Sequence, residues 1–135
     1  MVSEQIYKSG IEPTESYQVL HNQGCLSLDK GNYQEALIYF DLVLALEPKH
    51  QQARAFRGAV LVFLERYTEA LESCDRALFL NPKDSEIWVI RGVALHRLKR
   101  YKEAYNSYDR ALGIERKPLF QQLFQPILSL IKTSS

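Results

Sequence analysis

The sequence predicts an all-α chain in which one two-helix unit is stacked three times into a solenoid. Three series of residues carry that reading. Gly24, Gly58 and Gly92 stand 34 residues apart, and Ala36, Ala70 and Ala104 repeat the same step. Tyr33, Tyr67 and Tyr101 do so too, and Pro48 is followed by Pro82. A period of this length marks a supersecondary unit that buries its apolar face only by stacking on its neighbours. It points to an extended binding surface rather than an enclosed active site.

The elements follow in order. Residues 1–16 are polar and contain Gly10 and Pro13, so they read as a flexible lead-in with at most a short helical turn near Thr14–Val19. Ending each frame at the turn after its unit gives repeats 17–50, 51–84 and 85–118. Within each frame a short polar link divides two stretches of helical periodicity. In the middle frame these are about Gln51–Leu64 and Thr68–Leu80, each long enough for three to four turns. The first link, Gly31-Asn32, supplies a residue suited to positive φ and then a helix N-cap. Glu65-Arg66 and Lys99-Arg100 read as ordinary polar turns. Pro48 and Pro82 fall after helix ends, where a missing N–H does least harm, and Asp84 or Ser85 is placed to cap the next helix.

The small residues need a packing reason. A mid-helix glycine costs about 0.8–1.0 kcal/mol against alanine, and here three occupy one phase. With Gly in each first helix and Ala in each second, the axes are expected to approach to the low end of the usual range of about 8–10 Å. Trp88, Leu95, Tyr101, Tyr108 and Leu112 are expected to fill around that contact in the third unit. Leu61, Tyr67, Cys74 and Leu78 would do the same in the second. Arg57 and Arg91, each just ahead of a glycine, are expected to lay their stems along the hairpin and leave the charged heads in solvent.

The order Trp88…Gly92…Tyr101…Ala104…Tyr108…Ala111 resembles the tetratricopeptide repeat, and the likeness extends over residues 17–118. The first unit is the weakest copy, with Leu20 where Trp88 stands, Gln23 at a usually apolar position and Ser27 in place of a large residue. The resemblance implies a right-handed superhelix whose concave groove, lined by the first helices, binds proteins. Carried onto this chain, the groove takes Gln18, His21, Cys25, Leu28 and Asp29 from the first repeat. Gln52, Ala55, Ala59, Val62 and Phe63 come from the second, and Glu86, Val89, Val93, His96 and Arg97 from the third. Phe63 is the one large anchor among them. Relatives that clamp a chaperone's C-terminal carboxylate use Lys and Asn at particular groove positions. Those positions here hold His21, Cys25, Phe56, Glu86 and Ile90, so a co-chaperone role of that type is not expected.

Composition agrees with a protein-binding part. Among 135 residues, 17 Lys and Arg face 16 Asp and Glu, a net charge of +1 without the basic excess of a nucleic-acid binder. That balance and the turn prolines also disfavour the related helical repeat that reads single-stranded RNA one base per unit. No apolar run follows a basic start, and none reaches the roughly 20 residues that span a bilayer. A cytoplasmic protein without membrane insertion is expected. Cys25 and Cys74 share no metal-binding spacing and read as small apolar side chains in a reducing compartment. His21 and His50 stand at the two ends of the first repeat and His96 in the third, with His50 in a turn and solvated. There is no phosphate-binding Gly-rich loop, no HExxH and no GxSxG, so neither an enzyme nor a cofactor is expected. Arg97, Lys99, Arg100 and Lys102 form a basic edge at the third turn.

The last stretch, residues 119–135, carries Leu119, Phe120, Leu123, Phe124, Ile127, Leu128, Leu130 and Ile131 around Pro126. It reads as a C-terminal capping helix over the last repeat. The functional expectation is a non-catalytic adaptor or assembly factor holding an apolar or amphipathic segment of a partner protein. The alternative is a homo-oligomer assembled through residues 119–135.

Overall fold

The computed structural model describes residues 13–114, and these form six helices and no strand. Helix α1 (Pro13–Asp29) pairs with α2 (Tyr33–Leu46), α3 (Gln51–Phe63) with α4 (Tyr67–Leu80), and α5 (Ser85–Arg97) with α6 (Tyr101–Leu112). The second helix of each hairpin packs on the first helix of the next, and α3 also touches α5. Packing therefore runs from neighbour to neighbour, as a solenoid requires. Helix α1 opens at Pro13, inside the stretch expected as lead-in, since a proline suits the first helical position, where no N–H is needed. The capping helix expected over 119–135 lies outside the described residues.

All three hairpin turns close in the same way. Gly31, Glu65 and Lys99 sit at φ values of 77°, 60° and 64°. The next amide in each case reaches back across the helix end: Asn32 to Ser27 at 2.8 Å, Arg66 to Leu61 at 2.8 Å, and Arg100 to Leu95 at 2.9 Å. This is the Schellman closure, which satisfies carbonyls the helix leaves open. Glu65 and Lys99 are thus not ordinary polar turns but L-residues held in the left-handed region, at roughly 1–2 kcal/mol each. Asn32 makes no side-chain capping bond. At the same phase Arg66 and Arg100 instead make paired bonds to Glu69 and Glu103, at 2.6 to 2.9 Å.

The inter-repeat turns are also built to a pattern. Asp84 caps α5 by accepting from the Ile87 amide at 3.4 Å, and His50 caps α3 through Nδ1, which accepts from Ala53 at 3.0 Å. His50 is therefore part of the turn rather than merely solvated. Arg54 and Trp88 occupy one phase of the repeat, and each donates to the carbonyl of the turn proline behind it, Pro48 and Pro82 respectively.

The glycines pack against rings. A Cβ on Gly24 would stand 2.8 Å from Phe40, and one on Gly92 only 2.3 Å from Tyr108. In the middle repeat Cys74 takes the ring's place, and a Cβ on Gly58 would meet Ile90 at 3.3 Å and Cys74 at 3.7 Å. At Gly24 and Gly92 the reason for a glycine is an aromatic ring of the paired helix set against the first helix. Leu95 is fully buried as expected, but Tyr101 and Leu112 are exposed, Leu112 by 73%. Leu78, at the same phase as Leu112, is buried with Ile87 and Trp88 of the following hairpin.

Arg57 and Arg91 depart most from expectation. Arg57 donates to Asp41 of α2 and Ser73 of α4, and Arg91 donates to Asp75 of α4 at 2.8 Å and Ser107 of α6 at 2.7 Å. Each guanidinium thus ties its own hairpin to the one before it, instead of standing in solvent.

Candidate partner-binding groove

Residues three and four apart share a helix face. Ala59, Val62 and Phe63 of α3 accordingly face Val89, Ile90, Val93 and Arg97 of α5 across a cleft of about 310 Å³. Glu65 from the hairpin turn and Tyr67 from the start of α4 complete its lining. Six residues expected in the groove meet here: Ala59, Val62, Phe63, Val89, Val93 and Arg97. Phe63 is 56% exposed and Val89 45%, while Arg97 pairs with no carboxylate among the described residues. Phe63 also stacks on Tyr33 of the first hairpin, ring centres 4.8 Å apart and planes 9° from parallel.

Other expected groove residues fall elsewhere. Ala55 is buried in the cluster of Cys74, Leu78 and Ile87, at the junction of repeats two and three. His21 is 6% exposed, with its ring 4.9 Å from His50, 5.8 Å from Phe40 and 5.7 Å from Phe56. Both are junction residues and offer no surface. Cys25 is half-buried beside His21, Sγ to Nε2 at 3.7 Å. Gln18 and Asp29 are exposed and Leu28 is half-buried. Gln52 and Glu86 line a polar cleft of about 330 Å³ with Gln51, Asn81, Lys83, Asp84 and Ser85. Glu86 and Val89 also border a cleft of about 400 Å³ with Tyr108, Ala111 and Leu112 at the last hairpin. His96 is exposed, its ring set edge-on to Tyr101 at 5.1 Å.

Glu65 and Tyr67 were not expected in the groove. The repeating tyrosine phase is visible in the sequence, but its turn-side exposure depends on how two hairpins are spaced. The basic edge is thinner than expected, because Arg100 is bonded to Glu103.

Three titratable side chains behind the groove are shifted mainly by burial. Burial, and then the neighbouring His50, holds the His21 imidazole below its usual value, and its Nδ1 is buried without a hydrogen-bond partner. Burial followed by Asp29 raises the Cys25 thiol, and burial pushes Cys74 up to about 12. A reactive cysteine needs the opposite shift. Among the described residues no group of His, Cys, Asp and Glu could hold a metal ion, and no helix is long and apolar enough to cross a membrane.

Several solved structures with this fold are tetratricopeptide domains. The domain of Arabidopsis OM64 superposes with a TM-score of 0.72 at 21% identity, covering 87% of this chain and 98% of that one. The first domain of human RPAP3 gives 0.71 at 23% identity, covering 91% and 96%. The second domain of Spaghetti (RPAP3), bound to the HSP90 peptide SRMEEVD, gives 0.68 at 22% identity, covering 73% and 92%. At these identities the likeness concerns the fold. Comparison with curated proteins returns no match. The family model for the anaphase-promoting complex, cyclosome, subunit 3 matches residues 29–111. That match spans well over half of the sequence and the superposed domains share its architecture, so the chain belongs to this family of tetratricopeptide-repeat proteins.

Proposed function

We propose that the protein is a non-catalytic adaptor or assembly factor of the cytoplasm, which holds an apolar or amphipathic segment of a partner protein along its first helices. The observation that carries this reading is the cleft between α3 and α5, whose aliphatic lining leaves Phe63 and Val89 about half exposed. Pockets of this kind, apolar with a few polar groups at the rim, are the default binding sites of a fold. An amphipathic segment laid in a groove gains roughly 25 cal/mol per Å² of apolar surface removed from water, less the cost of ordering it. Peptide capture by the solved Spaghetti domain lends support at the level of fold. The chaperone-carboxylate positions of this chain, among them a buried His21 and a half-buried Cys25, supply no matching cation.

The test is a pull-down from native lysate with the wild-type chain and a Phe63→Glu, Val93→Glu variant whose helicity is checked by circular dichroism. Loss of a bound protein with the variant supports the groove. An unchanged set of bound proteins counts against it.

A second reading, self-association through residues 119–135, draws on the exposed Tyr105 and Leu112 of the last hairpin. Light scattering with and without those residues separates the two. A monomer at high concentration in both forms removes the second.

A further inference from the structure

The inter-repeat clefts are not equivalent, and the difference names a ligand. Phe63 and Arg97 occupy one phase of the repeat, and so do Tyr33 and Tyr67. At the junction of repeats one and two, Phe63 covers Tyr33 in a parallel stack at 4.8 Å. One repeat along, Tyr67 and Arg97 both line the open cleft, and among the described residues no ring stacks on Tyr67. The guanidinium there has no ion-pair partner among the described residues. The chain thus supplies its own aromatic ring at one junction and leaves the matching place empty at the next.

Resting on the groove reading above, we infer that the α3–α5 cleft takes an aromatic side chain of a partner segment, next to an acidic group that Arg97 receives. The ring lies against Tyr67 as Phe63 lies against Tyr33, within the spacing of about 4.5–7 Å that aromatic pairs favour. Ala59, Ile90 and Val93 give it an aliphatic bed. A volume of about 310 Å³ is at the small end for ligand sites, which fits one or two side chains rather than a whole folded ligand. Arg97 presents a planar fork of donors suited to a carboxylate. Glu65, the one carboxylate in the lining, accepts from an N–H of the segment's backbone.

The probe is N-acetyl-phenylalanine, which joins one ring to one carboxylate, followed by amide NMR at millimolar concentration. N-acetyl-phenylalaninamide and N-acetyl-leucine are the controls. The expected result is shifts confined to residues 59–67 and 89–97, with binding weakened about tenfold by the neutral amide or by Arg97→Ala, the size of one charge-assisted contact. Leucine in place of phenylalanine weakens it too. Arg97→Phe, which lends the chain its own ring, abolishes binding and raises the melting temperature. Arg97 is exposed, and should Arg97→Phe nonetheless misfold, the acid–amide pair and Arg97→Ala decide the question without it.

Equal binding of the leucine and phenylalanine probes, shifts outside the cleft, or no shift at all would overturn the inference. Any of these together with loss of a partner in the Phe63→Glu, Val93→Glu pull-down would leave the adaptor reading standing. Cleft-specific probe binding with no partner lost would keep the pocket and remove that adaptor role.

Discussion

At Gly92 a methyl group would land 2.3 Å from the Tyr108 ring, whereas at Gly58 the nearest atom is an Ile90 methyl at 3.3 Å. Gly92→Ala should therefore lower stability by about 1–2 kcal/mol, overpacking against the ring outweighing the helix-propensity gain. Gly58→Ala, with Cys74 where the ring would be, should cost less than half as much, and urea midpoints compare the two directly. The glycine series was legible in the sequence, and so was Tyr108 beside the third glycine; that Phe40 meets Gly24 in the same way was not, because Cys74 hides the pattern in the middle repeat. His21 gives a second prediction at this scale. Its folded value lies below the ordinary 6.5, so the unfolded chain binds the proton first. Stability should be intact above about pH 6.5 and fall progressively as the pH drops below it. Its surroundings reinforce this sign. His50 faces it from the α3 cap with Nδ1 already accepting a bond, Cys25 faces it from its own helix, and Phe40 and Phe56 offer no counter-charge. Thermal melts from neutral to mildly acid pH should show the decline, and His21→Phe should flatten it.

Turns and helices are the scale at which the sequence was most unevenly informative. The helix spans of the middle repeat, the prolines after helix ends and Asp84, one of the two caps the sequence offered, followed from local rules, since each depends on a handful of neighbours. The left-handed residues did not. Only the first hairpin turn carries glycine at that position, and Glu65 and Lys99 give no such sign. They are held there by closure bonds from Arg66 and Arg100 and by the packing of both flanking helices. Lys99→Gly should relieve that strain and raise stability by about 0.5–1 kcal/mol after the entropy cost of glycine, read as a higher melting temperature. Lys99 is the better test position, because Glu65 also lines the cleft.

In the whole molecule, stability depends on how one hairpin is held to the next. Arg91 spans α4 and α6 through Asp75 and the fully buried Ser107. The half-exposed ion pair contributes modestly, but cutting the bond leaves a buried hydroxyl short of its partner, so Arg91→Ala should cost about 1–2 kcal/mol. Its signature should be local: faster amide exchange in α6 than in α2, because a solenoid loosens one junction at a time. That bridge was invisible in the sequence. An arginine beside a glycine reads as a surface residue until the preceding hairpin brings up an aspartate.

The number of units, the order of helices, the phase of the core and the repeat family were all written in the sequence, because a 34-residue period repeats the same local instructions three times. Which first-helix residues stay exposed was settled only by packing between hairpins. His21 and Ala55 share the phase of Val89, yet they are buried at junctions while Val89 is 45% exposed. The reason is physical: burial in a solenoid depends on the side chains of the next hairpin as much as on a residue's own helix. The cleft at Tyr67 and Arg97 stays open because the residue there at the phase of Phe63 is an arginine and supplies no ring to cover Tyr67.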